Sequence, residues 1–347
     1  MLKVPEASLE ILYHEREYER AAKQFSEWLA PRLISLQKEL GVPKLPPARI
    51  VLASELDGLT RQLVPVKETD GVLIRCNFTA RDFDRVEAGA LTVHTILNRL
   101  CNGRATYDPN HWLLDGFSEW WVETNDISER LLESAFVVRD GFPDSGTLAR
   151  WGAFGDRHGE RLSNSFSLSG VVCLEKVAGR KAVVDLVRAH FVRTAHTDIR
   201  ESFYQWTHSP QRIFKTHTQV EFEDFLKRWE ASLAPYSEKQ KRLFGAPQGS
   251  FSVAADKVSA KLRVASNSAP IKTWTFLHTK LAPGQSGIDE FKLKQEVRTW
   301  TPGASSDELT LSKEYSHGDL VWLGLEVDYE GTTYPLRIVA ERREVKP

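Results

Sequence analysis

Residues Ala90–Leu100 read ALTVHTILNRL, and Asn110–Trp121 read NHWLLDGFSEWW. Both have the apolar spacing of helices, which predicts one from about Asp84 to Cys101, stopped by Asn102-Gly103, and another from about Asn110 to Glu123. His94 is a lone histidine on the first. Asn98 lies four residues on and shares its face, the spacing at which an H-E-x-x-H helix offers two imidazoles to one zinc. Here the five residues are His94, Thr95, Ile96, Leu97 and Asn98. On the second helix Asp115 stands four residues after His111 and four before Glu119. The plainer reading makes His94 a hydrogen-bonded core histidine and Asp115 part of a polar helix face.

Upstream, Tyr18, Ala21, Ala22, Phe25, Leu29, Leu33, Leu36 and Leu40 recur at three and four, marking an amphipathic helix that Gly41-Val42-Pro43 stops. Pro31 should kink or split it. RIVLAS (Arg49–Ser54) and GVLIRCNF (Gly71–Phe78) read as strands. Between Gly141 and Asn164 the Gly, Asp, Arg and Ser content predicts an irregular surface segment, in which Gly155–Glu160 gathers solvated charge. SGVVCLEKVAG, RKAVVDLVRAHF and EFEDFLKRWEASL, between Ser169 and Leu233, read as helices, the first two punctuated by Gly179. Ser237–Ser250 is polar with Gly and Pro, a linker by composition.

Beyond it the period becomes two. Val258, Ala260, Leu262 and Val264 alternate with polar residues, as do Val321, Leu323, Leu325 and Val327, and Tyr334, Leu336, Ile338 and Ala340. With Ile271–Lys280 and Phe291–Trp300 this makes six or seven strands, the pattern of a small antiparallel sandwich.

The 347 residues suffice for two or three domains. The 46 Lys and Arg nearly cancel the 47 Asp and Glu, so no global charge calls for nucleic acid or an anionic membrane as partner. The three cysteines, Cys76, Cys101 and Cys173, include no CxxC pair, against both a disulfide framework and a cysteine-rich zinc site; Cys101 and Cys173 read as core thiols. No apolar run is long enough to cross a bilayer, and MLKVPEASLEILYHERE turns charged too soon for a secretory signal. The expectation is a soluble chain without direct membrane insertion, either cytoplasmic or excised from a longer extracytoplasmic protein. There is no G-x-S-x-G elbow, phosphate loop or G-x-G-x-x-G.

The order strand, strand, helix with His94, turn, then a helix bearing Trp112-Leu113-Leu114-Asp115-Gly116-Phe117 resembles the gluzincin metallopeptidases, the group of aminopeptidase N, over about Ala48 to Leu233. In that family the second helix carries W-L-x-E-G-x-A, whose Glu is the third zinc ligand. The resemblance makes His94 the first ligand and puts Asp115 in place of that Glu, one methylene shorter. It puts Asn98 where the second histidine stands, and a neutral amide is a poor zinc ligand. Thr95 falls at the general-base position, and a hydroxyl does not take a proton near neutral pH as a carboxylate does. The family's tyrosine has no counterpart in Asn164–Gly170.

The fold expected is therefore α+β: an N-terminal helical segment (1–47), a gluzincin-like domain (48–236), a linker (237–250) and an Ig-like β-sandwich (251–347). The resemblance implies a catalytically inactive relative without a cofactor, with His94 and Asp115 as a vestigial metal pair and Asn98, His111, Trp112 and Glu119 along the cleft. That cleft would bind a peptide or protein, or dock in an assembly such as a membrane transporter subunit. The alternative is a zinc peptidase with a non-standard ligand set, His94 and Asp115 joined by His111 or Glu119.

Overall fold

The computed structural model describes residues 1–13, 16–53, 62–64, 72–77, 85–101, 110–122, 127–192, 209–245, 247–254, 257–265, 268–283, 285, 288, 293–312, 315–330, 332 and 335–345. Its helices are α1 Glu17–Leu40, α2 Arg85–Leu100, α3 His111–Val122, α4 Ile127–Val137, α5 Ser145–Leu148, α6 Trp151–His158, α7 Glu160–Ala178, α8 Arg180–Phe191, α9 Pro210–Thr218 and α10 Phe222–Phe244. The strands are β1 Leu2–Val4, β2 Leu9–Tyr13, β3 Ala48–Ala53, β4 Gln62–Val64, β5 Val72–Asn77, β6 Gln248–Val253, β7 Lys257–Arg263, β8 Ile271–Lys280, β9 Lys294–Thr299, β10 Ser306–Ser312, β11 Leu320–Tyr329 and β12 Leu336–Glu344. The class is α+β. The Asn102-Gly103 stop, Glu123 and Tyr334 lie outside the described residues. Among the described residues no helix is long and apolar enough to cross a membrane.

The chain forms two compact units, one of Met1–Ile127 with Ser167–Trp229, the other of Ser128–Phe166 with Glu230–Pro347. The first is built on a five-stranded sheet of order β1-β2-β3-β5-β4. The segment 1–47, expected as helical, supplies β1 and β2 before its helix. Leu9 and Ile11 are buried at a period of two, but the strand is five residues long and a charged run follows it, so its alternation is brief. β2 and β3 are parallel, a pairing that needs a crossover connection, and α1 provides it. Tyr18, Ala22, Phe25, Leu29, Leu33, Leu36 and Leu40 of α1 are buried, so the three-and-four spacing does mark its inner face. Pro31 does not split α1: the helix is continuous from Glu17 to Leu40, and the Arg32 guanidinium donates to the Trp28 carbonyl at 2.7 Å. Gly41 ends it in the left-handed region at φ 67°, where glycine carries no Cβ penalty.

The second unit holds two antiparallel sheets, β10-β7-β6 and β12-β11-β8-β9. They face one another: the rings of Phe251 on β6 and Phe276 on β8 stack at 5.9 Å, and a Cβ on Gly249 would come within 2.2 Å of Val339 Cγ1 on β12. Val258, Ala260 and Leu262 on β7 and Val321, Leu323, Leu325 and Val327 on β11 are buried, as their alternation predicts. The other face of β11 also carries an apolar cluster, Trp322 with Leu277 and Leu281.

Two expectations are corrected here. Gly141–Asn164 is not irregular, for it contains α5, α6 and the first residues of α7. Leu148, Trp151 and Phe154 recur at three and are buried, and Asp144 caps α5 by accepting from the Thr147 amide at 2.7 Å. Asp156, counted with the solvated charge, accepts from the Arg342 guanidinium at 2.7 Å and the Ile288 amide at 3.1 Å. The stretch Ser237–Ser250 is helical to Phe244 and enters β6 at Gln248; Gln240 and Phe244 are buried inside the supposed linker.

Candidate metal centre

α3 is a core helix on nearly every side. Ten of its twelve residues are buried, and the two that are not are His111 and Asp115. Trp112 is wholly buried beside Trp229, ring centroids 5.1 Å apart, and beside Phe225 at 6.1 Å. The Trp229 indole N–H donates to Ser169 Oγ at 2.8 Å, that of Trp120 to Glu175 Oε2 at 2.8 Å, and that of Trp121 to the Arg32 carbonyl at 3.0 Å. The Arg180 guanidinium covers the Trp120 ring at 4.5 Å. The bonds of Trp120 and Trp121 hold α3 against rotation about its axis, and hence bear on which residues its remaining face presents.

That face meets α2. His94 Nε2 lies 3.1 Å and His111 Nε2 3.6 Å from the same oxygen, Asp115 Oδ1. The two imidazoles pack edge to face with centroids 5.7 Å apart. One ligand atom from each residue falls within 4.8 Å of the other two, and no other such group of three occurs among the described residues. Side-chain exposures of 20% for His94, 16% for His111 and 16% for Asp115 leave the cluster open to solvent. The i, i+4 spacing of His111 and Asp115 places both on one helix face.

The donor chemistry fits a divalent first-row ion, since imidazole nitrogen and carboxylate oxygen are ordinary zinc ligands. Tetrahedral zinc bound at about 2.0–2.1 Å requires donor–donor edges of about 3.3–3.4 Å. The two contacts to Asp115 stand on either side of that edge.

The other residues singled out are placed differently. Thr95 is half-buried, and its hydroxyl donates to the Leu91 carbonyl at 2.7 Å, one turn back in the same helix. Asn98 is also half-buried; its carbonyl accepts from the Cys101 thiol at 3.2 Å. Trp112 faces the aromatic core and Glu119 is buried, so neither lines an open groove. Cys101 and Cys173 are buried free thiols. No protein-family model matches the chain, and no curated protein does.

Proposed function

We propose that the chain is a metallopeptidase-like protein that does not hydrolyse peptides. A gluzincin-like domain and an Ig-like β-sandwich would then serve to bind a peptide or protein, or to dock in a larger assembly such as a membrane transporter subunit. One observation carries this reading. Thr95, which the resemblance puts at the general-base position, carries a hydroxyl too weakly basic to take a proton from water, and its own proton is already donated to the Leu91 carbonyl and not to a substrate. Loss of such a base is close to total because it acts together with the ion and its water.

A second reading, a zinc peptidase with the ligand set His94, His111 and Asp115, is favoured by the convergence of those three side chains. Zinc-loaded protein, assayed against a panel of fluorogenic aminoacyl and internally quenched peptides, separates the two. The proposal expects no turnover above that of the His94→Ala variant, together with saturable binding of peptides from the same panel by anisotropy. Chelator-sensitive turnover lost in His94→Ala would establish the second reading and remove the first.

A further inference from the structure

We propose that His94, His111 and Asp115 form a divalent transition-metal site in which the second imidazole comes from α3. The likeness drawn from the sequence would take both imidazoles from α2, at His94 and position 98. Position 98 holds an amide, and the second imidazole stands instead at the first residue of α3, one turn before Asp115. The inference rests on these contacts and not on the proposed function; an ion here is compatible with a chain that hydrolyses nothing.

Three observations carry it. The donor atoms are already gathered, with two contacts of 3.1 and 3.6 Å to one carboxylate oxygen. The helix that supplies two of the donors is locked in rotation by the hydrogen bonds of Trp120 and Trp121, so the cluster is positioned by the core and not by a flexible loop. Finally, His111 and Asp115 are the two residues that an otherwise buried α3 leaves partly exposed, and they sit where His94 meets them. An ion bound there ties α2 to α3 and retains an open position on the solvent side for water or for a donor from a bound peptide. Zinc is the probe to use, with cobalt(II) as its spectroscopic stand-in.

The full chain, stripped with chelator, dialysed, loaded with zinc chloride and desalted, should retain near-stoichiometric zinc by elemental analysis. His94→Ala, His111→Ala and Asp115→Asn should each lose most of it, and Asn98→Ala should keep it. Loading at a hundredfold excess over Kd should raise the Tm of the wild type by about 5 °C or more and leave that of His111→Ala where it was. The cobalt(II) form should show the visible bands of a four- or five-coordinate ion, and His111→Cys should add a thiolate-to-cobalt charge-transfer band. That last variant keeps a ligand at the position, so it decides the matter even if the alanine variant fails to fold. Wild-type protein without retained zinc, His111→Ala with unchanged retention, His111→Cys without the new band, or Asn98→Ala with the larger loss would each overturn the site.

Discussion

A Cβ built on Gly116 would stand 2.3 Å from the carbonyl oxygen of Ser167. The contact is to backbone, which has no rotamer to move into, so α3 and α7 approach this closely only because residue 116 is glycine. This is the structural use of the glycine that follows Asp115. Gly116→Ala must push the two helices apart or rotate α3, and overpacking of this kind costs about 1–3 kcal/mol. The expected result is a lower urea midpoint with the m-value unchanged, accompanied by weaker zinc retention, because Asp115 moves with the helix. Unaltered stability would show that the close approach is not what holds α3.

Two buried tryptophans in contact should respond unequally to the same substitution. Trp229 donates to Ser169 Oγ, whereas the Trp112 indole nitrogen has no hydrogen-bond partner among the described residues. Replacing either with Phe loses similar apolar area, but at Trp229 it also removes a made bond, and at Trp112 it removes a buried donor whose desolvation costs about 1–3 kcal/mol. With about 1 kcal/mol for the lost bond added to that relief, Trp229→Phe is expected to destabilise by about 2 kcal/mol or more beyond Trp112→Phe in chemical denaturation. Equal losses would argue against the difference.

Much of this architecture can be read in the residues themselves. The inner face of α1 and the alternation in β7 follow from period alone, because each has a single well-patterned burial surface; β11 alternates in sequence at Val321, Leu323, Leu325 and Val327, but the burial of Trp322 on its other face does not follow from that period. β2 is harder to read, since its two buried residues, Leu9 and Ile11, are too few to define a period. α6 is obscured because Gly152 and Gly155 weaken its propensity, although Trp151 and Phe154 anchor it. The metal cluster divides in the same way. His111 and Asp115 share a face by spacing, which a reader of the sequence can see. That this face meets His94 depends on how α3 sits against its neighbours, where Gly116 touches Ser167 and the Trp120 and Trp121 indoles bond to Glu175 and the Arg32 carbonyl, and those residues are far apart in the chain.

Thr95 offers a test that ignores hydrolysis altogether. Its hydroxyl bonds to a carbonyl that the helix already uses, an arrangement that adds little stability in a helix interior. Thr95→Ala exchanges a β-branched residue for the best helix former, a gain of roughly 0.5 kcal/mol by propensity. The variant should therefore be as stable as the parent or slightly more so, and retain zinc equally. A marked drop in zinc retention would mean that the hydroxyl supports the ion.

The stability of the first unit should decline in mild acid through His217 on α9. Burial pushes this imidazole below its ordinary 6.5; the Asp185 carboxylate opposes the shift, and His190, Arg188 and Lys181 reinforce it. Because the folded pKa is depressed, the unfolded chain binds more protons as the pH falls. The contribution is thus fully present above 6.5 and is lost as pH drops through the lower, folded value. His217→Gln removes the titrating group, so the wild type's stability relative to this variant should shrink as denaturation is moved from about pH 7 to about pH 5. If that difference stayed constant or grew with acid, the imidazole would not be the group responsible.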